Sequence, residues 1–259
     1  MEPTVVLSAE QIQFFRDNGY LSIPSLMPPD EVERVREIYD RLFEARVGRE
    51  VGDQFDLAGA DEEGVEAKLP QILGPSRYAP ELLEGQYRVN LAHIVKQLLG
   101  PEAEVGGDHM IFKPARIGAE TPWHQDQAYW DPEYDYESLS VWIPLQEATL
   151  ENGCMWFVPC SQSDDIYPHH SIGHDPRVHG LEAEGADVSG AVACPLPPGG
   201  ATFHHCRTLH YTGANTSDGP RRAYIIGAGL PATKRETPYD FYWNRMKQTA
   251  REARAAGKA

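Results

Sequence analysis

The stretch Thr121-Pro122-Trp123-His124-Gln125-Asp126 is the one from which the rest of the chain can be read. It reads as a short strand, on which residues two apart face the same side. His124 and Asp126 would then present an imidazole and a carboxylate together. With a second His from elsewhere they would make a facial triad suited to Fe(II), with three coordination positions left open. The motif alone is weak. With 10 His and 39 acidic residues in 259, about 1.5 such triplets are expected by composition.

The second half of the reading lies at residues 204–222. Gly213, Asn215, Ser217, Asp218, Gly219 and Pro220 crowd between two apolar runs, which is turn chemistry and predicts a strand–loop–strand unit. His210 would end the first strand and Arg221 begin the second. With the turn centred near Asn215 the two fall opposite each other, and cross-strand partners share a face. A guanidinium beside the metal matches a carboxylate bidentately. Metal and Arg together describe a site for a small dicarboxylate whose near end chelates the ion. His204 and His205 compete with His210, but the spacing to Arg221 favours His210.

Three ordered motifs now resemble the phytanoyl-CoA dioxygenase family of Fe(II)/2-oxoglutarate oxygenases. They are Trp123-His124-Gln125-Asp126-Gln127 with the aromatics to Trp130; Trp142 followed by Glu151-Asn152-Gly153-Cys154 and Val158-Pro159; and His210, Thr212, Asn215 and Arg221. The likeness spans roughly residues 8 to 230. It implies His124, Asp126 and His210 on iron, and Arg221 on the distal carboxylate of 2-oxoglutarate. It also implies Trp142, Thr212, Met110 and Lys68 lining the cosubstrate. Gln125 is grouped with these contacts and lies near the substrate with Tyr129 and Trp130. Cys160-Ser161-Gln162 stands where the family usually has Gly-Ser-His, a departure that touches no ligand. The resemblance implies O2 as co-reactant, with succinate and CO2 released and an unactivated C–H hydroxylated. A filled Asp126 position favours hydroxylation over halogenation.

Composition bounds the alternatives. Net charge of −16 argues against non-specific nucleic-acid or anionic-membrane binding, and 41% hydrophobic residues suffice for a core. No apolar run of membrane-spanning length and no secretory signal pattern is present in these residues. Cys154, Cys160, Cys194 and Cys206 form no CxxC pair and read as reduced cytoplasmic cysteines. The expected partner is a small-molecule substrate; no residue pattern fixes an oligomeric state.

Along the chain, Ser8 with Gln11 forms a capping box and Gly19 stops a short helix. Residues 20–23 read as a strand. Pro28-Pro29-Asp30 opens a longer helix with an apolar stripe through Val32, Val35, Tyr39 and Leu42. Residues 47–67 read as a mobile acidic loop, and 86–99 as a helix ended by Gly100-Pro101. From Val105 onward come short runs at 105–113, 121–126, 138–145, 154–158, 190–196, 201–210 and 221–230. Such a series suggests a double-sheet jelly roll of cupin-like architecture, with the helices on one sheet's outer face. The expected organisation is one oxygenase domain over 1–259: a mostly helical N-terminal region over 1–104, a jelly-roll core over 105–230 and a tail over 231–259. The His-rich segment 160–189 reads as a loop and candidate lid rather than a metal site. A cupin-like Zn or Mn isomerase or hydrolase, in which Arg221 would lack its purpose, and a non-catalytic jelly-roll binding protein with the same strand pattern are the alternative readings.

Overall fold

The computed structural model describes residues 1–257. Its strands are β1 (Tyr20–Ile23), β2 (Gln54–Asp56), β3 (Pro70–Leu73), β4 (Glu104–Lys113), β5 (Thr121–His124), β6 (Tyr134–Asp135), β7 (Ser138–Pro144), β8 (Met155–Phe157), β9 (His169–Ser171), β10 (Leu181–Ala183), β11 (Val192–Cys194), β12 (Ala201–His205), β13 (His210–Thr212), β14 (Arg221–Gly229) and β15 (Thr233–Lys234). The helices are α1 (Ala9–Asn18), α2 (Pro29–Glu44), α3 (Gln86–Leu99), α4 (Tyr242–Met246) and α5 (Ala250–Ala255). A seven-stranded sheet in the order β1-β12-β7-β14-β4-β3-β2 faces a four-stranded sheet in the order β11-β8-β13-β5. All strand pairs of the larger sheet are antiparallel. This is the double-sheet jelly roll that the strand series suggests.

Period-two alternation decides what each large-sheet strand shows to each side. Val141 and Ile143 of β7, with Tyr224 and Ile226 of β14, pack under the helices against Val35, Tyr39, Leu91 and Ile94. Trp142, Ala223 and Ile225, one residue out of phase, face between the sheets against Met155, Phe157 and Leu196. The helices thus cover one face of the large sheet, leaving the other to a cavity between the sheets.

Helix ends follow the local chemistry. Ser8 and Gln11 make the reciprocal capping box of α1, and Gly19 closes it with φ 75. The side chain of Gln162 donates to the carbonyls of Arg16 and Asp17 at that same end. Residues 47–67 depart from the loop expected of them. Phe55, 2% exposed, joins Leu57 and Leu69 in a small core, and β2 becomes an edge of the large sheet. The Asp56 carboxylate accepts from the backbone N–H of Ala58, Lys68 and Leu69 at 3.0–3.1 Å and ties the segment down. Composition hid this, because one Phe and one Asp do the anchoring. Segment 160–189 likewise contains a two-stranded pair, β9 with β10. Among the described residues no helix is long and apolar enough to cross a membrane.

Candidate active site

A cavity of about 230 Å³ opens between the sheets. His124, the last residue of β5, and His210, the first of β13, are direct partners in the small sheet. Gln125 keeps an extended backbone (φ −118, ψ 133), so alternation carries through it. Asp126 then opens a 3-10 turn with its carboxylate on the same side as His124. The expected strand therefore ends two residues early, yet the i, i+2 geometry survives.

One ligand atom from each of His124, Asp126 and His210 lies within 4.8 Å of the others. Nε2 of His210 and of His124 stand 3.5 and 3.9 Å from Asp126 Oδ1. Metal–ligand bonds of about 2.0–2.2 Å span such separations. The Nδ1 atoms are 2.7 Å from the Pro122 carbonyl and 2.9 Å from the Thr208 carbonyl. A carbonyl only accepts, so Nδ1 carries the proton and each neutral ring points its Nε2 lone pair inward. Burial, the largest influence on both imidazoles, holds their pKa values below the ordinary range. Burial would raise the Asp126 carboxyl; positive charge beside it, on the His210, His204 and His124 imidazoles or on a cation held among them, keeps it well below the usual range. Acceptors thus converge with no donor between them, an arrangement that a cation resolves.

The far oxygen of Asp126 is held from the large sheet. Ser140 Oγ donates to Oδ2 at 2.6 Å, and His204 Nε2 lies 3.3 Å from it. His204 is 2% exposed, and neither ring nitrogen has a well-aligned hydrogen-bond partner. The competitor for the distal ligand position therefore stands behind the carboxylate. His205, the next residue, faces away, with Nε2 3.6 Å from Glu137.

Arg221 lines the same cavity, by a route the hairpin reading gets wrong. β13 belongs to the small sheet, whereas β14 pairs with β4 and β7 in the large one, so Arg221 lies opposite Lys113, not His210. The turn residues build a connection between sheets: Asn215 Nδ2 donates to the carbonyls of Lys113, Pro114 and Gly219, all near 3 Å. Arg221 is 1% exposed and lies over Trp142 at 5.5 Å. Its Nη1 reaches only the Ile111 carbonyl at 3.4 Å, and Nε has no partner. Burial pulls its pKa down to about 10. Lys113, also buried, donates to the Thr212 and Gly213 carbonyls nearby, and burial and Arg221 push its pKa well down. This end of the cavity has cationic groups and no paired carboxylate.

Trp142, Thr212, Tyr129 and Trp130 line the cavity as expected of them. Three other expectations are corrected. Met110 faces the helices, because its neighbours His109 and Ile111 take the inward positions on β4. Lys68 is exposed and does not line the cavity. Gln125 is fully buried on the opposite side, where its amide binds Arg207 O and accepts from Tyr167 N. It ties loops rather than a ligand. Unforeseen wall residues are His109, His179 and Ser140. Strand parity around Trp142 could have found Ser140; His179 carried no signal beyond its His-rich segment.

The sequence profile of the phytanoyl-CoA dioxygenase (PhyH) family matches residues 15–223. The chain belongs to this family. As a member it is an iron- and 2-oxoglutarate-dependent non-haem oxygenase, and the His-Asp-His cluster stands where such chemistry needs it. It is 27% identical, over 85% of its length and 77% of the relative's, to a probable alpha-ketoglutarate-dependent hypophosphite dioxygenase of Stutzerimonas stutzeri. It is 26% identical to phytanoyl-CoA dioxygenase domain-containing protein 1 of Danio rerio, over 85% and 89% of the two chains. Among solved structures, EvdO2 from Micromonospora carbonacea var. aurantiaca matches with 39% identity and a TM-score of 0.81, covering 94% of this chain and 99% of that one. Its complex with 2-oxoglutarate matches with 36% identity and a TM-score of 0.79 over the same shares.

Proposed function

We propose that this family member hydroxylates an unactivated C–H bond of a small-molecule metabolite, with ferrous iron held by His124 Nε2, Asp126 Oδ1 and His210 Nε2. One observation carries the reading: an acceptor-only triad and a buried guanidinium without a carboxylate share one cavity. Both lacks are met by a cation and a dicarboxylate bound together. Iron and 2-oxoglutarate, when bound, supply the oxidising chemistry, consuming O2 and releasing CO2 and succinate.

The chain's own task is placement. The carbonyls of Pro122 and Thr208 fix the two imidazoles, and Ser140 steadies Asp126. Arg221, with the Trp142 face against its guanidinium and Thr212 lining the same cavity, would hold the distal carboxylate. Tyr129, Trp130, His109, His179, Leu57 and Leu73 are among the other wall residues and would help to exclude water from the substrate's reacting carbon. The presence of Asp126 favours hydroxyl transfer. Cys154, Cys194 and Cys206 are buried free thiols and Cys160 is an exposed one, which suits a reducing compartment such as the cytoplasm.

The test is succinate formation from 2-oxoglutarate under air, screened over small metabolites. Stimulation that requires Fe(II) and a metabolite supports the proposal. Turnover of any metabolite with Zn(II) alone, without 2-oxoglutarate, would contradict it.

A further inference from the structure

A second chamber adjoins the catalytic cavity. Tyr129, Trp130 and His179 line both, and the chamber continues along Asn244, Arg245, Lys247, Arg251 and Glu252. The C-terminal segment is basic in an otherwise acidic chain: residues 245–258 hold five cations and one Glu, against a net charge of −16 overall.

Most cations near this chamber are already paired. Arg245 is 2.8 Å from Asp240, Arg177 pairs with Asp175 and Glu62, and Arg49 and Arg254 both grip Asp61. Lys247 and Arg251 differ. Each is half-buried, and neither makes an ion pair among the described residues. Each lies instead on an aromatic face: Lys247 Nζ is 4.8 Å from the Tyr129 ring, and Arg251 Cζ is 5.3 Å from the Phe55 ring. His179 packs between those two rings, at 5.8 and 4.9 Å, with its Nδ1 unpartnered. Burial draws Lys247 down to about 8, and the exposed Glu252 carboxylate offsets only part of the ammonium's desolvation cost. Two carboxylates also line the chamber, but both are exposed. Asp131 caps the Glu133 N–H, and Glu252 caps the Thr249 N–H. Asp53, whose charge also acts on Arg251 from beyond the chamber, is held by Tyr78 and Arg77.

We propose that Lys247 and Arg251 bind an oxyanion of the prime substrate, a carboxylate or a phosphate, and so make that substrate an anion. This rests on the oxygenase reading above. Tyr129 fixes the geometry, because its ring bears Lys247 on one side and meets the His124 imidazole edge-on at 5.9 Å. An anion on Lys247 would lay the substrate across Tyr129, with its reacting carbon several bonds away at the triad. The acidic remainder of the surface would discourage anions elsewhere.

The experiment uses the protein loaded anaerobically with Fe(II) and saturated with 2-oxoglutarate, so that Arg221 is occupied. Inorganic phosphate and propionate are titrated separately by calorimetry. Wild type should bind one equivalent saturably. Lys247→Gln and Arg251→Gln should each weaken binding about tenfold, the loss expected of one hydrogen bond to a charged group, and the double variant should abolish it. 2-Oxoglutarate affinity, unchanged in the variants, shows that they fold. Tighter phosphate marks a phosphate ester, and tighter propionate a carboxylic acid. No saturable binding of either anion to wild type, or binding retained in the double variant, would overturn the inference. Failure of wild type to bind 2-oxoglutarate would instead sink the oxygenase reading beneath it.

Discussion

Replacing Arg221 by methionine should move two observables in opposite directions. The guanidinium is 1% exposed, with one long bond to Ile111 O and an unpartnered Nε. Burial lowers it from an ordinary value of 12.5 to about 10. At about 1.4 kcal/mol per pH unit, the ligand-free protein carries about 3 kcal/mol of desolvation cost at this side chain. Methionine keeps much of the stem and removes the charge. Ligand-free Arg221→Met should therefore be more stable, by up to about 3 kcal/mol less any packing lost at the guanidinium. The same change removes one partner of a buried ion pair in the complex. That costs about 3–5 kcal/mol, or roughly 200- to 4,000-fold in the Kd for 2-oxoglutarate. Urea denaturation of metal-free protein reads the first effect, and calorimetric titration of the metal-loaded protein reads the second. A variant that binds 2-oxoglutarate within tenfold of wild type would refute the anchoring role. A variant that loses ligand-free stability would show that the guanidinium is satisfied by contacts within the protein.

Three further outcomes are expected. His204→Phe keeps a ring behind Asp126 but removes the nitrogen 3.3 Å from Oδ2, and should weaken Co(II) binding by about 10- to 100-fold; unchanged affinity and spectrum would contradict it. His169 is fully buried, with Nδ1 on the Tyr167 carbonyl and Nε2 accepting from Gln125 N, and burial holds its pKa at about 3. The unfolded chain takes up a proton near pH 6.5 that the folded state refuses. This term therefore leaves stability intact above that pH and removes about 2 kcal/mol by pH 5, a slope that urea midpoints should show and His169→Asn should lessen. Cys160 holds a left-handed backbone at φ 66, so Cys160→Gly should raise urea stability by about 0.5–1 kcal/mol, strain relief exceeding the added unfolded-state entropy.

Much of this architecture is carried by short-range chemistry. The α1 capping box, its Gly19 stop and the apolar stripe of α2 through Val32, Val35, Tyr39 and Leu42 involve neighbours in sequence, and each recurs in the structure at the expected residues. The His124–Asp126 pair is similarly local, which is why it survives an early strand end. Long-range pairing is another matter. The turn residues around Asn215 mark a loop but not the sheets its flanking strands join, so a hairpin reading sets Arg221 across from His210, whereas it stands opposite Lys113. Strand parity separates His109 and Ile111 from Met110 only once the orientation of β4 is known. Lys68 and Gln125 are assigned to the site by resemblance alone, and their own surroundings put one in solvent and the other among loop backbones. His179 and Lys247 reach the cavities from distant segments that no local pattern connects.

The central claim is that three side chains and Arg221 bind one ferrous ion with its oxo-diacid. Its most direct measurement is the visible spectrum of the protein mixed anaerobically with Fe(II) and 2-oxoglutarate. A metal-to-ligand charge-transfer band should appear in wild type and be absent from His210→Ala. No band in wild type, or an undiminished band in His210→Ala, would contradict the assignment.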